Sequence, residues 1–157
     1  MIRGKTAALL AASVEIGASL GGGEPEQLAA CRRFGEALGL AFQIQDDVLG
    51  IWGDERLTGK SAASDILTRK KSLPVLHALN GPQGAALREL YARPRLTVAE
   101  APLVLDLLAT AGARPYAASL VEMYSASALQ ALDDARLTSP AGDLLRDLAL
   151  QLLNRQA

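Results

Sequence analysis

Apolar residues at positions 117, 120, 121, 124, 128, 131, 132 and 135 recur in steps of three and four, the period of one helix face. An Ala/Leu-rich run over residues 2–20 predicts another helix, and it begins with no Ser, Thr, Asp or Asn ahead of it to cap the first turn. Gly21, Gly22 and Gly23 break that run, and Pro25 suits the first turn of the next helix, expected over residues 26–51. Gly35 and Gly39 lie four apart within it, where they cost helix stability but allow a neighbouring helix to approach closely.

Residues 52–69 read as a loop with a short helical piece, turned by Gly53 and Gly59. Pro74 fits the first turn of a short helix ending near Asn80, and a further helix is expected over residues 83–91. Thr97 and Glu100 have the spacing of a capping box, opening a helix to about Ala111 that Gly112 closes. Pro115 starts the long helix with the 3–4 pattern, and Ser139 and Pro140 open the last, to about Arg155. No repeat and no low-complexity linker divides the chain, so the expectation is one all-α, antiparallel helical domain over residues 1–157.

One stretch departs from this apolar patterning. Between Ala41 and Ile51 two adjacent carboxylates, Asp46 and Asp47, interrupt a helix otherwise rich in Phe42, Ile44, Val48 and Leu49. Gln43, Asp46 and Asp47 stand at i, i+3 and i+4 and so project from one side. Carboxylates in apolar surroundings must be paired, ligate a cation or line a wet cavity. A bare Asp-Asp pair is most often a solvated helix edge, but here Lys60, Asp65, Lys70 and Lys71 follow in a polar loop. Mg2+ uses one or two carboxylates beside waters and phosphate oxygens, and lysines act as point charges on phosphate, so the combination suits a metal-bound polyanion.

Composition narrows the classes. Half of the 157 residues are hydrophobic, aromatics are few and the net charge is −1, which argues against a nucleic-acid surface. Cys31 stands alone and has no partner for a disulfide, no secretory pattern is visible, and a reduced cytoplasmic setting is expected. No uncharged apolar run is long enough to span a bilayer, the first candidate being stopped by Glu15. Cys31 reads as a packed residue, His77 as a packing or surface residue, and Asp133 with Asp134 as a solvated helix edge.

The ordered elements Phe42-Gln43, Asp46-Asp47, Gly53-Asp54, Gly59-Lys60, Asp65 and Lys70-Lys71-Ser72-Leu73-Pro74, preceded by Lys5-Thr6, resemble the second aspartate-rich region of the trans-polyprenyl diphosphate synthases, the farnesyl and geranylgeranyl diphosphate synthase group. The resemblance runs along essentially the whole chain. It implies an antiparallel bundle of the isoprenoid synthase type, of which this chain is the C-terminal half, with the half bearing the first aspartate motif outside it. It departs in one place: Gly50 stands where the family usually has a third aspartate.

By this resemblance Mg2+ is the cofactor, held by Asp46 and Asp47, while Lys60 and Lys70 hold diphosphate and Asp65 orients Lys60 or metal-bound water. Lys5 would contact the allylic diphosphate, and Thr6 and Gln43 would face the reacting carbon. The implied reaction is ionisation of an allylic diphosphate and attack on the cation by isopentenyl diphosphate, with the released diphosphate taking the proton. Partners expected are those two diphosphates and, for the protein, self-association, an N-terminal half or a complete synthase. The alternatives are a non-catalytic truncated or regulatory subunit bound to a complete synthase, and a terpene-cyclising relative on the same scaffold.

Overall fold

In the computed structural model of the chain, residues 3–53, 63–82, 84–137 and 140–153 are described, and every regular element among them is helical. A π-helical turn over Arg3–Ala7 leads directly into α1, Ala8–Leu20. The capless start expected here is resolved by that wider turn: Ala7 is itself helical, at φ −64° and ψ −40°, and no side chain caps α1. The three glycines then end α1 in a Schellman arrangement, Gly23 N–H reaching Ala18 O at 2.9 Å and Gly22 N–H reaching Ser19 O at 3.1 Å, with Gly22 at φ +77°.

Helix α2 runs over Pro25–Trp52, within a residue of its expected bounds. The short helical piece of the following loop is α3, Ser64–Leu67, and α4 (Leu73–Leu79) carries Pro74 in its first turn. Next come α5 (Gly84–Ala92), a 3-10 turn over Val98–Glu100, and α6 (Ala101–Thr110). The capping box forms, with the Thr97 N–H and hydroxyl both 2.8 Å from Glu100 Oε2, but it opens the 3-10 turn and not the α-helix itself. Helix α7 spans Ala113–Asp134, starting two residues before Pro115 because a proline in the first turn costs no intrahelical hydrogen bond. Helix α8 covers Ala141–Leu153, and the expected cap at Ser139 lies outside the described residues.

The chain forms two compact units. The first comprises residues 1–43 and 120–155, with a core of Phe34, Leu38, Ala128, Ala131, Leu132 and Ala149. Here α1 and α2 meet backbone to backbone: a Cβ on Gly35 would lie 2.6 Å from Leu10 O, and one on Gly39 would lie 2.5 Å from Ala7 Cα. The pairing falls from residue 10 to 7 as it rises from 35 to 39, so the two helices are antiparallel. Cys31 is buried beside Ala30 and Ala135, and burial raises its thiol pKa, consistent with a packing role. Asp133 and Asp134 are exposed and face Arg146 and Arg33, a helix edge as expected.

The second unit is residues 44–119, with a core of Ile51, Ile66, Val75, Leu87, Leu90, Val104 and Leu108. His77 packs in it: its ring stacks on Tyr116 at 3.9 Å between centroids, and Nε2 lies 3.1 Å from Ala111 O. Arg114 sits over the Trp52 ring at 5.8 Å.

Candidate active site

Each unit carries part of the predicted constellation. In the first, the π-turn presents Lys5 to solvent and turns Thr6 inward, where its hydroxyl donates to Gln43 Oε1 at 2.8 Å. The contact of Gly39 with Ala7 brings these two residues together, because nothing but backbone separates the helices there. An open, largely apolar groove of about 420 Å³ is lined by Lys5, Thr6, Leu9, Leu10, Phe42 and Leu152. A charged residue among the lining of an apolar groove suits a ligand with a polar head and a greasy tail.

In the second unit Asp47 is buried, with 3% of its surface exposed, and both of its oxygens are engaged. Oδ1 lies 3.0 Å from Lys70 Nζ, and Oδ2 accepts the Leu73 N–H at 3.0 Å, at the opening of α4. Lys70 Nζ also donates to Asp65 Oδ2 at 2.8 Å. Burial by itself would depress the Lys70 pKa, but its hydrogen bonds to Asp65 and Asp47 outweigh that and hold the ammonium above its ordinary value. Two of the ammonium's three donors are thereby spent on carboxylates.

Asp46, one residue earlier on α2, is half-buried and carries no hydrogen bond or ion pair among the described residues. No group of three potential metal-ligating side chains occurs among those residues. Asp46 precedes Asp47 on α2, and a carboxylate there would suit Mg2+, which takes one or two protein oxygens and fills its remaining positions with water and phosphate oxygens. Lys60 lies outside the described residues.

Three residues escaped the sequence reading. Tyr91 is buried, its hydroxyl has no hydrogen-bond partner among the described residues, and burial together with the Asp65 charge pushes its pKa up to about 12. Ser72 Oγ, next to the Leu73 N–H that Asp47 holds, is likewise buried and without a partner among those residues. Arg69 takes a left-handed conformation at φ 54° and donates to the carbonyls of Tyr91 and Arg93. No local pattern marks any of them; the surroundings of Arg69 and Tyr91 come from contacts distant in sequence.

Residues 1–108 match the polyprenyl synthetase family. The chain is 40% identical to a geranylgeranyl diphosphate synthase of Mycobacterium tuberculosis over 86% of its own length and 39% of that protein's. It is 39% identical to heptaprenyl diphosphate synthase component 2 of Geobacillus stearothermophilus over 98% of its length and 48% of that protein's. Among solved structures, geranylgeranyl pyrophosphate synthase from Corynebacterium glutamicum, complexed with isoprenyl diphosphate and magnesium, superposes with a TM-score of 0.86 at 30% identity, covering 99% of this chain and 45% of that one. The chain thus spans less than half the length of each of these relatives. A matching family over two-thirds of the residues, an all-helical fold shared with solved prenyl synthases and an acidic helix end of the expected composition identify the chain as a member of the polyprenyl synthetase family.

Proposed function

We propose that the chain is the C-terminal half of a prenyl-transferring site that joins isopentenyl diphosphate to an allylic diphosphate. The observation that carries this reading is the Asp47–Lys70–Asp65 cluster, with Asp46, unpaired among the described residues, one position before Asp47 on α2. Mg2+ bound there supplies neutralisation of the charge that develops on a leaving diphosphate. Asp46 is the direct ligand, and Asp47 adds its charge from one residue away. Lys70 and Lys60 hold phosphate oxygens, and Asp65 keeps Lys70 in place. Lys5 binds the allylic diphosphate head, while Thr6 and Gln43, already hydrogen-bonded to each other, turn oxygen dipoles toward the reacting carbon. The apolar lining of the groove, Leu9, Leu10, Phe42 and Leu152, takes an apolar tail.

Calorimetric titration with Mg2+ and inorganic pyrophosphate tests the acidic end of α2. Asp46→Ala abolishes Mg2+-dependent binding, and unchanged binding sinks the assignment. Radiolabelled isopentenyl diphosphate with a panel of allylic diphosphates then tests transfer, first with the chain alone and then with an N-terminal half bearing an aspartate motif. A second reading, a non-catalytic subunit of a complete synthase, draws on the relative named as component 2 of a heptaprenyl diphosphate synthase. Product from the chain plus an N-terminal half excludes it. Association with a complete synthase without product in any combination favours it.

No helix among the described residues is long and apolar enough to cross a membrane.

A further inference from the structure

The short turn that leaves α3 is closed in a Schellman arrangement: the Arg69 N–H reaches Ile66 O and the Lys70 N–H reaches Asp65 O, both at 2.9 Å. The pattern requires a left-handed backbone at the first of these two donors, and Arg69 provides it at φ 54°. Glycine is the usual occupant of that position, because a residue with a Cβ enters the left-handed region on the order of tenfold less readily.

This turn decides where the Lys70 side chain goes. It folds residue 70 back over residue 65, so that the two meet twice, once through the backbone and once through Lys70 Nζ on Asp65 Oδ2 at 2.8 Å. The same Nζ lies 3.0 Å from Asp47 Oδ1. Were Arg69 to relax out of the left-handed region, the backbone ring would open and the ammonium would be carried off both carboxylates.

Strain of this kind persists only where the surroundings over-determine it, and here the strained residue supplies the contact itself. Arg69 Nη1 donates to Arg93 O at 2.5 Å and to Tyr91 O at 3.5 Å, carbonyls at the C-terminal end of α5. Carbonyls at such an end lack partners within their own helix, and a cation there also meets the negative pole of the helix dipole. The anchorage is tied down in turn, since the Arg93 guanidinium pairs with Glu100, the acid that closes the box with Thr97.

We propose that Arg69 is a positioning residue for Lys70: its guanidinium, anchored on the end of α5, holds a left-handed turn that its own Cβ disfavours, and the turn delivers the Lys70 ammonium to Asp47 and Asp65. What Lys70 is positioned for rests on the reading of this cluster as a diphosphate site; the dependence of Lys70 on Arg69 does not.

The full chain carries the test as wild type, Arg69→Ala and Arg69→Gly, with far-ultraviolet circular dichroism confirming helicity. Arg69→Ala keeps the Cβ and loses the anchor, whereas Arg69→Gly loses the anchor together with the strain it offsets. Limiting amine acylation at one pH, followed by peptide mass spectrometry, compares Lys70 with exposed Lys71. Lys70 is the protected one in the wild type; Arg69→Ala raises its reactivity severalfold with Lys71 unchanged, and Arg69→Gly returns it toward the wild-type rate. A guanidinium that served only to brace α5 would move both variants alike, so recovery in glycine is the distinguishing result. An alanine variant acylated at the wild-type rate, or a glycine variant as reactive as alanine, overturns the proposal. Should Arg69→Ala lose helicity, Arg69→Gln, which keeps a Cβ and lacks the guanidinium, takes its place under the same criteria. In parallel, calorimetric affinity for Mg2+-pyrophosphate should fall about tenfold in Arg69→Ala and recover in Arg69→Gly, the size expected for one hydrogen bond to a charged group. Unchanged affinity beside a raised Lys70 reactivity would overturn the functional part of the proposal. A wild type that binds no pyrophosphate would remove the proposed function and leave the acylation rates to decide whether Arg69 sets Lys70.

Discussion

The two ends of α2 are fixed by opposite means. Toward its start the helix lies against α1 with backbone touching backbone at Gly35 and Gly39, where the absence of side chains makes the contact. At its far end charged side chains make the contact: Asp47 holds Lys70 and the first turn of α4, and Lys70 holds Asp65. Close packing of small groups is insensitive to pH and salt and intolerant of added volume. Paired charges tolerate volume better but fail when a partner is lost or a proton moves. A residue held the first way is placed by shape, and one held the second way by electrostatics. In this chain Thr6 and Gln43 belong to the first class, Lys70 to the second.

The sharpest way to break this contrast is to add volume where shape rules. Gly39→Val puts branched carbon onto Ala7 and should cost about 3 kcal/mol in urea unfolding, with loss of the Thr6–Gln43 hydrogen bond; a change below about 1 kcal/mol would show that α1 slides freely on α2. Next in size is Asp47→Ala. Removing a buried carboxylate that accepts two donors should cost about 2 kcal/mol, whereas Asp47→Asn keeps the Leu73 contact and should cost less. Equal losses would mean that the charge is irrelevant and that packing rules both ends.

Raising the pH probes the electrostatic end alone. Lys70, whose pKa lies above its ordinary 10.5, and Tyr91, pushed up from 10 to about 12, both retain protons in the folded chain that the unfolded chain releases sooner. Their contribution is complete below about pH 10 and is lost as the pH rises through the folded values, so stability falls on the alkaline side. Urea midpoints measured across that range should decline in the wild type and decline less steeply in Tyr91→Phe; a flat wild-type profile would contradict the assignment. The smallest effect is expected at the exposed edge, where Asp133→Asn should change stability by less than about 0.5 kcal/mol. A larger loss there would mean that surface pairs matter as much as the buried cluster.

Punctuation was legible in the sequence because it is local. Gly21 to Gly23, Pro25 and the Thr97–Glu100 box each act within one turn, so their residues announce them. Gly35 and Gly39 announced a close approach but not its partner. The members of the charged cluster were legible as residue types, yet nothing in the chain says that Lys70 meets both Asp47 and Asp65, because that pairing depends on how α3 and α4 fold back on α2. Tyr91 and the left-handed Arg69 were illegible for the same reason: their surroundings come from elements more than twenty residues apart. The π-turn that carries Lys5 and Thr6 was read as ordinary helix, since an added residue per turn leaves no mark on an Ala-rich sequence.

The two glycine contacts on α2 have a mechanical consequence. A single point of contact lets a rod pivot, but two points one helical turn apart define a line, and a helix pressed against that line cannot swing across it. A ligand that pulls on Lys5 or Thr6 therefore loads the α1–α2 hairpin as a stiff lever, and the pull is felt at Gln43 without passing through any flexible joint.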